Sequence, residues 1–115
     1  MKKIPKVGEQ FKPSDFIPNI HLNEGDGFMP LHLMRDDRLQ AVDKIVFCEL
    51  TAYCSRQSFD GVMDIANHAK LLNVSEREFL TSLAVLRFAG YIVYAFTVNN
   101  SIEYSITNHA LGWEV

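Results

Sequence analysis

The stretch Ala66-Asn67-His68-Ala69-Lys70-Leu71-Leu72-Asn73-Val74-Ser75-Glu76-Arg77-Glu78-Phe79 decides the fold. Ser75 with Glu78 three residues on forms a capping box, in which each side chain takes a backbone N–H that a new helix leaves unpaired. A helix therefore starts at Ser75 and runs over residues 75–89. Phe79, Leu83 and Leu86 recur at helical spacing and give it an inward face. Ala89-Gly90 stops it, because glycine accepts the left-handed conformation of a helix C-terminus. Upstream, residues 62–72 place Ile65, Ala69 and Leu72 on one side of a shorter helix. Only Asn73-Val74 is left as the turn between the two.

Working outward, residues 38–55 carry Leu39, Val42, Ile45, Val46, Leu50 and Tyr53 at spacings of three and four, with Gln40, Asp43, Lys44 and Glu49 largely opposite. This is another helix, preceded by Asp36 and Asp37 where the helix dipole favours carboxylates. Residues 28–34 are short and apolar, either a strand or one helical turn. Downstream, Tyr91 to Val98 is β-branched and aromatic, Asn99-Asn100 is a turn, and Ser101 to Thr107 alternates. The order is helix, helix, short turn, capped helix, hairpin. The expected fold class is α+β, mostly α: a three-helix winged helix-turn-helix with a C-terminal β-hairpin wing.

A chain of 115 residues has room for one such core. With 48% hydrophobic and 22% charged residues, it carries enough apolar surface to fold. Residues 1–27 hold Pro5, Pro13 and Pro18 with Gly8, Gly25 and Gly27, and read as a partly ordered arm whose Phe11, Phe16, Ile17, Ile20 and Leu22 are apolar enough to dock. The winged domain takes residues 28–107, and 108–115 is a tail whose Trp113 packs on its own domain. No apolar run reaches the roughly 20 residues of a membrane span, and no signal-peptide core follows the basic N-terminus. A cytoplasmic protein with two reduced thiols, Cys48 and Cys54, is expected. His21, His32, His68 and His109 stand singly, so no metal site, no cofactor and no catalytic group is assigned, and His68 reads as a surface or half-buried histidine.

Met34-Arg35-Asp36-Asp37-Arg38-Leu39 with the helix through Tyr53, the turn around Asn73-Val74-Ser75, and Leu83, Leu86, Ala89, Gly90, Tyr91 and Ile92 together resemble the winged-helix domains of plasmid and phage replication initiators and related small bacterial regulators. The resemblance covers roughly residues 28–107. It implies a non-enzymatic binder of double-stranded DNA, a transcriptional regulator or replication accessory, with its third helix in the major groove. Arg77, Thr81 and Ser82 would then meet base edges, Lys70, Asn73, Ser75 and Arg87 would meet phosphates, and Asn99 and Asn100 would sit at the wing tip.

Charge departs from that family. The net charge is −3. Arg77 and Arg87 on the third helix are matched by Glu76 and Glu78, and residues 91–107 hold Glu103 but no Lys or Arg. The basic cluster is the arm, with Lys2, Lys3, Lys6 and Lys12 against Glu9. DNA binding by one copy is therefore weak, and a homodimer is expected. Apolar residues depart too. Leu80, Val85 and Phe88 fall off the core stripe, and Tyr94 and Phe96 add to them. The alternative is a winged helix used for self-association or for contact with a protein partner through these five residues.

Overall fold

A computed structural model describes residues 27–113. The arm expected over 1–27 lies outside the described residues except for Gly27. Short helix α1, Leu31–Met34, is followed by α2, Ala41–Ala52. Strand β1, Asp60–Asp64, leads into α3, Ile65–Leu71, and then α4, Glu76–Phe88. Strands β2, Ile92–Thr97, and β3, Ser101–Ile106, precede a last turn of helix, α5, Asn108–Leu111. The fold is α+β, with one antiparallel sheet in the order β1-β3-β2.

Local chemistry explains most of the ends. Ser75 accepts from Glu78 N–H and Glu78 accepts from Ser75 N–H, as the capping box requires. Asn73 sits at φ 58, which lets Val74 N–H reach back to Ala69 C=O and closes α3. The Gln40–Asp43 pair makes a second box, so α2 begins at Ala41 rather than at 38. Before it, Asp36 bonds Arg38 and folds the chain into a turn.

Two elements differ from the sequence reading. Residues 62–64, expected as the start of a helix, are the end of strand β1. Met63 points into the core while Asp60, Val62 and Asp64 face out, and Asp64 then caps α3 through Asn67 N–H. The hairpin is thus not alone: β3 is flanked on both sides, pairing Gly61 with Tyr104 and Tyr104 with Tyr94. The tail also forms structure. Thr107 caps α5, Ala110 is fully buried, and Trp113 packs edge-on against Phe59, so this segment shares the core of 28–107.

The core lies between the helices and one face of the sheet. Phe47, Leu50, Ile65, Phe79, Leu83, Leu86, Ile92 and Ile102 are fully or almost fully buried, each such side chain contributing about 1.5–3 kcal/mol. On α2 the buried stripe is Asp43, Val46, Phe47, Leu50 and Thr51, while Ile45 and Tyr53, expected inside, are exposed. The stripe turns because Asp43 is itself buried. One of its oxygens accepts from Gln40 N–H at 2.8 Å and the other from the Ser82 hydroxyl of α4 at 2.8 Å. Tyr104 adds a second polar tie, donating to Leu50 C=O at 2.6 Å from the sheet to the end of α2.

Ser82→Ala leaves one buried Asp43 oxygen without its partner. The expected loss is about 1–3 kcal/mol of unfolding free energy, read from urea denaturation. A Thr81→Ala control at the exposed neighbouring position changes stability by about 0.5 kcal/mol or less.

Candidate nucleic-acid interface

Helix α4 packs its Phe79, Ser82, Leu83 and Leu86 stripe on α2 and α3. The opposite stripe, at the same helical spacing, is Arg77, Thr81, Ala84 and Phe88, all exposed. Arg77 therefore lies in the first turns of the helix and Phe88 at its end. Lys70 and Asn73, on the preceding helix and turn, are exposed as well. These four side chains, Lys70, Asn73, Arg77 and Thr81, cluster around the α3–α4 turn and the start of α4.

Ser82 does not join them. It is buried, with 1% of its surface accessible, and its hydroxyl is committed to Asp43. Its placement among base-edge residues is corrected, because position 82 shares the inward stripe with Phe79 and Leu86. Ser75 is exposed, but its hydroxyl oxygen already accepts from Glu78 N–H at 3.0 Å. The Thr81 hydroxyl donates to Arg77 C=O at 2.8 Å, along its own helix.

The β2–β3 hairpin runs back alongside α4. Arg87 lies over the Tyr94 ring at 5.3 Å, an arrangement in which the ring face attracts the guanidinium. At the tip, Asn99 and Asn100 adopt φ 63 and 57, a left-handed conformation that asparagine tolerates. Asn100 uses both ends: its amide donates to Glu76 at 2.8 Å, and its C=O accepts from Ile65 N–H at 3.0 Å. The tip is thus tied to the starts of α3 and α4. Glu76 is engaged here, which no spacing in the sequence announces.

The residues expected at an apolar interface divide. Leu80, Val85 and Tyr94 are half-buried and pack against the core. Phe88 and Phe96 are exposed, at 91% and 65%. The outer sheet face presents Asp60, Asp64 and Glu103 around Val62, Val93 and Ala95, and no strand carries a Lys or Arg.

A polar cluster beside α4, whose Arg38 lines a groove together with Arg77 and Thr81, escaped sequence reading. Arg38 donates to Asp36 at 2.6 Å, and the Tyr91 hydroxyl donates to the same carboxylate at 2.6 Å. The Arg38 guanidinium, with Tyr91, holds the Asp36 carboxyl well below the usual carboxylate range. The Tyr91 ring stacks on His109 at 5.2 Å, which fixes its hydroxyl over Asp36. His68 is buried, its Nδ1 2.7 Å from Glu49 and its ring edge-on to Tyr53. It serves packing between α2 and α3. Among the described residues, no group of three His, Cys, Asp or Glu side chains is placed to hold a metal, and no helix is long and apolar enough to cross a membrane.

No protein family, curated protein or solved structure matches the chain.

The depressed Asp36 carboxyl gives a signed pH effect. Its ion pair contributes stability that is fully present above the unfolded-state value near 4 and is lost as pH falls below it. Asp36→Asn removes that contribution. Thermal denaturation from pH 6 down to 2 is expected to show a shallower acid limb for the variant, with the two midpoints converging at the acid end.

Proposed function

We propose that this chain is a winged-helix protein that binds double-stranded DNA through α4, in the manner of a small regulator or replication accessory. The supporting observation is topological. The order α2, β1, α3, α4, β2, β3 with the sheet order β1-β3-β2 leaves the Arg77–Thr81–Ala84 face of α4 uncovered beside the hairpin. A helix joined to its predecessor by a short turn and bare on its outer face is the form that enters a major groove. In this reading Arg77 and Thr81 approach base edges, and Arg77 has the donors that guanine acceptors need. Lys70, Asn73 and Arg87 approach phosphates, Ser75 offers its backbone and hydroxyl at the helix start, and Asn99 contacts the backbone from the wing tip.

Charge limits the affinity. Lys70, Arg77 and Arg87 are cations around this face, Arg38 beside them is paired with Asp36, and Glu76 and Glu78 oppose them. Two cationic phosphate contacts per copy, from Lys70 and Arg87, correspond to a salt slope of about −2 in log K against log salt. A homodimer, placing two α4 helices on one duplex, doubles the slope to about −4.

The second reading is contact with a protein or a second copy through the same side of the molecule. It is favoured by Phe88, whose ring is 91% exposed on the outer stripe of α4. An aromatic ring left in water at this place is a feature of interfaces rather than of phosphate recognition.

Fluorescence anisotropy with a labelled duplex, titrated from low to physiological salt, tests the first reading. Binding with a slope of about −2 or steeper is expected; Lys70→Ala should flatten the slope by about 1, and Arg77→Ala should weaken binding severalfold and relax sequence preference. No binding at low salt, or a slope near zero, overturns it. Light scattering of Phe88→Glu tests the second. An assembly that dissociates in the variant supports it, and one that is unchanged removes this surface from consideration.

A further inference from the structure

On the side of α2 away from α4, Met29, Met34, Ile45, Cys48, Ala52 and Leu72 line an apolar groove of about 560 Å³, with Lys44 and Glu49 at its rim. Met34 and Ile45 are each 50% exposed, and Leu71 beside Leu72 is 61% exposed. A groove of this kind, made by three separate elements, leaves apolar surface in water unless something covers it.

Where the chain enters the described fold indicates what covers it. Gly27 itself lines the groove. A Cβ at this position would lie 2.5 Å from the Cys48 carbonyl oxygen, so the backbone is pressed directly on α2. Phe28 fixes that approach, its N–H donating to the Thr51 hydroxyl oxygen at 2.9 Å. The described chain thus begins at the groove wall, and 26 residues precede it in the sequence. Immediately upstream, Asn23, Gly25 and Asp26 are residue types that let a chain reverse. Before these comes Phe16-Ile17-Pro18-Asn19-Ile20-His21-Leu22, with Phe16, Ile17, Ile20 and Leu22 apolar. Four residues separate Leu22 from Gly27, so the five steps between them reach up to about 17 Å.

We propose that Phe16–Leu22 of the same chain docks in this groove, with Ile20 and Leu22 against Ile45 and Cys48. The docking also ties residues 1–13, with Lys2, Lys3, Lys6 and Lys12, to the folded domain. It does not depend on DNA being bound.

Cys48 lines the groove and is a built-in reporter, while buried Cys54 outside it reports on the integrity of the fold. Alkylation of the whole chain is followed at each cysteine by peptide mass spectrometry and compared with the Phe16→Ser/Ile20→Ser double variant. Cys48 is expected to react about tenfold faster in the variant, with Cys54 unchanged. Ile45→Cys, placed at an exposed position of the same groove, provides a second reporter and should show the same difference. Equal rates at both reporters in the two backgrounds overturn the proposal. Protection that disappears on dilution also overturns it, since it assigns the segment to a second copy.

Discussion

A carboxylate inside a protein must find its hydrogen bonds there, because water no longer supplies them. Asp43 meets this requirement with the Gln40 N–H on its own helix and the Ser82 hydroxyl on α4. The consequence reaches across the molecule. A shift of α4 by one residue turns it about 100° and takes Ser82 away from Asp43. The pairing therefore selects one rotation of α4, and that rotation puts Phe79, Leu83 and Leu86 inside and Arg77, Thr81, Ala84 and Phe88 outside. The apolar stripe alone would tolerate a broader range of angles. The polar contact narrows it, and so fixes which side chains α4 can offer to anything outside.

Elements specified by local chemistry were legible in the sequence. The capped start of α4, its glycine stop, the Asn73 turn and the asparagine tip each depend on residues within four positions of one another. Strand β1 was not legible, because Asp60-Gly61-Val62-Met63-Asp64 has little strand character of its own. It becomes a strand by pairing with β3, some 40 residues later, from Asp60 with Ser105 to Asp64 with Ser101. The site was legible in part. Spacing put Arg77 and Thr81 on the outer face of α4, but it also put Ser82 there, since a serine with no visible partner reads as a surface residue. Its partner lies 39 residues away. Asp43 failed for the same reason, as an acid in a helix is taken to face water.

The two faces of the molecule differ in what they can attract. Around the start of α4, Lys70 and Arg77 stand near Glu76 and Glu78, and the local field is close to neutral. Across the outer sheet face Asp60, Asp64 and Glu103 make it negative, so this side repels a phosphate backbone. On the DNA-binding reading proposed above, repulsion from this face would direct a duplex to the α3–α4 side as much as attraction would. The net charge of −3 describes neither face.

The hairpin tip is held by Asn100 to Glu76 of α4 and to Ile65 of α3 at once. Three elements meeting at one residue behave mechanically as a truss. Moving the tip away from α4 breaks the bond to Glu76, and moving it away from α3 breaks the bond to Ile65, so the hairpin is held against the starts of both helices. A surface of that kind selects partners by shape, and any accommodation must come from the partner's side.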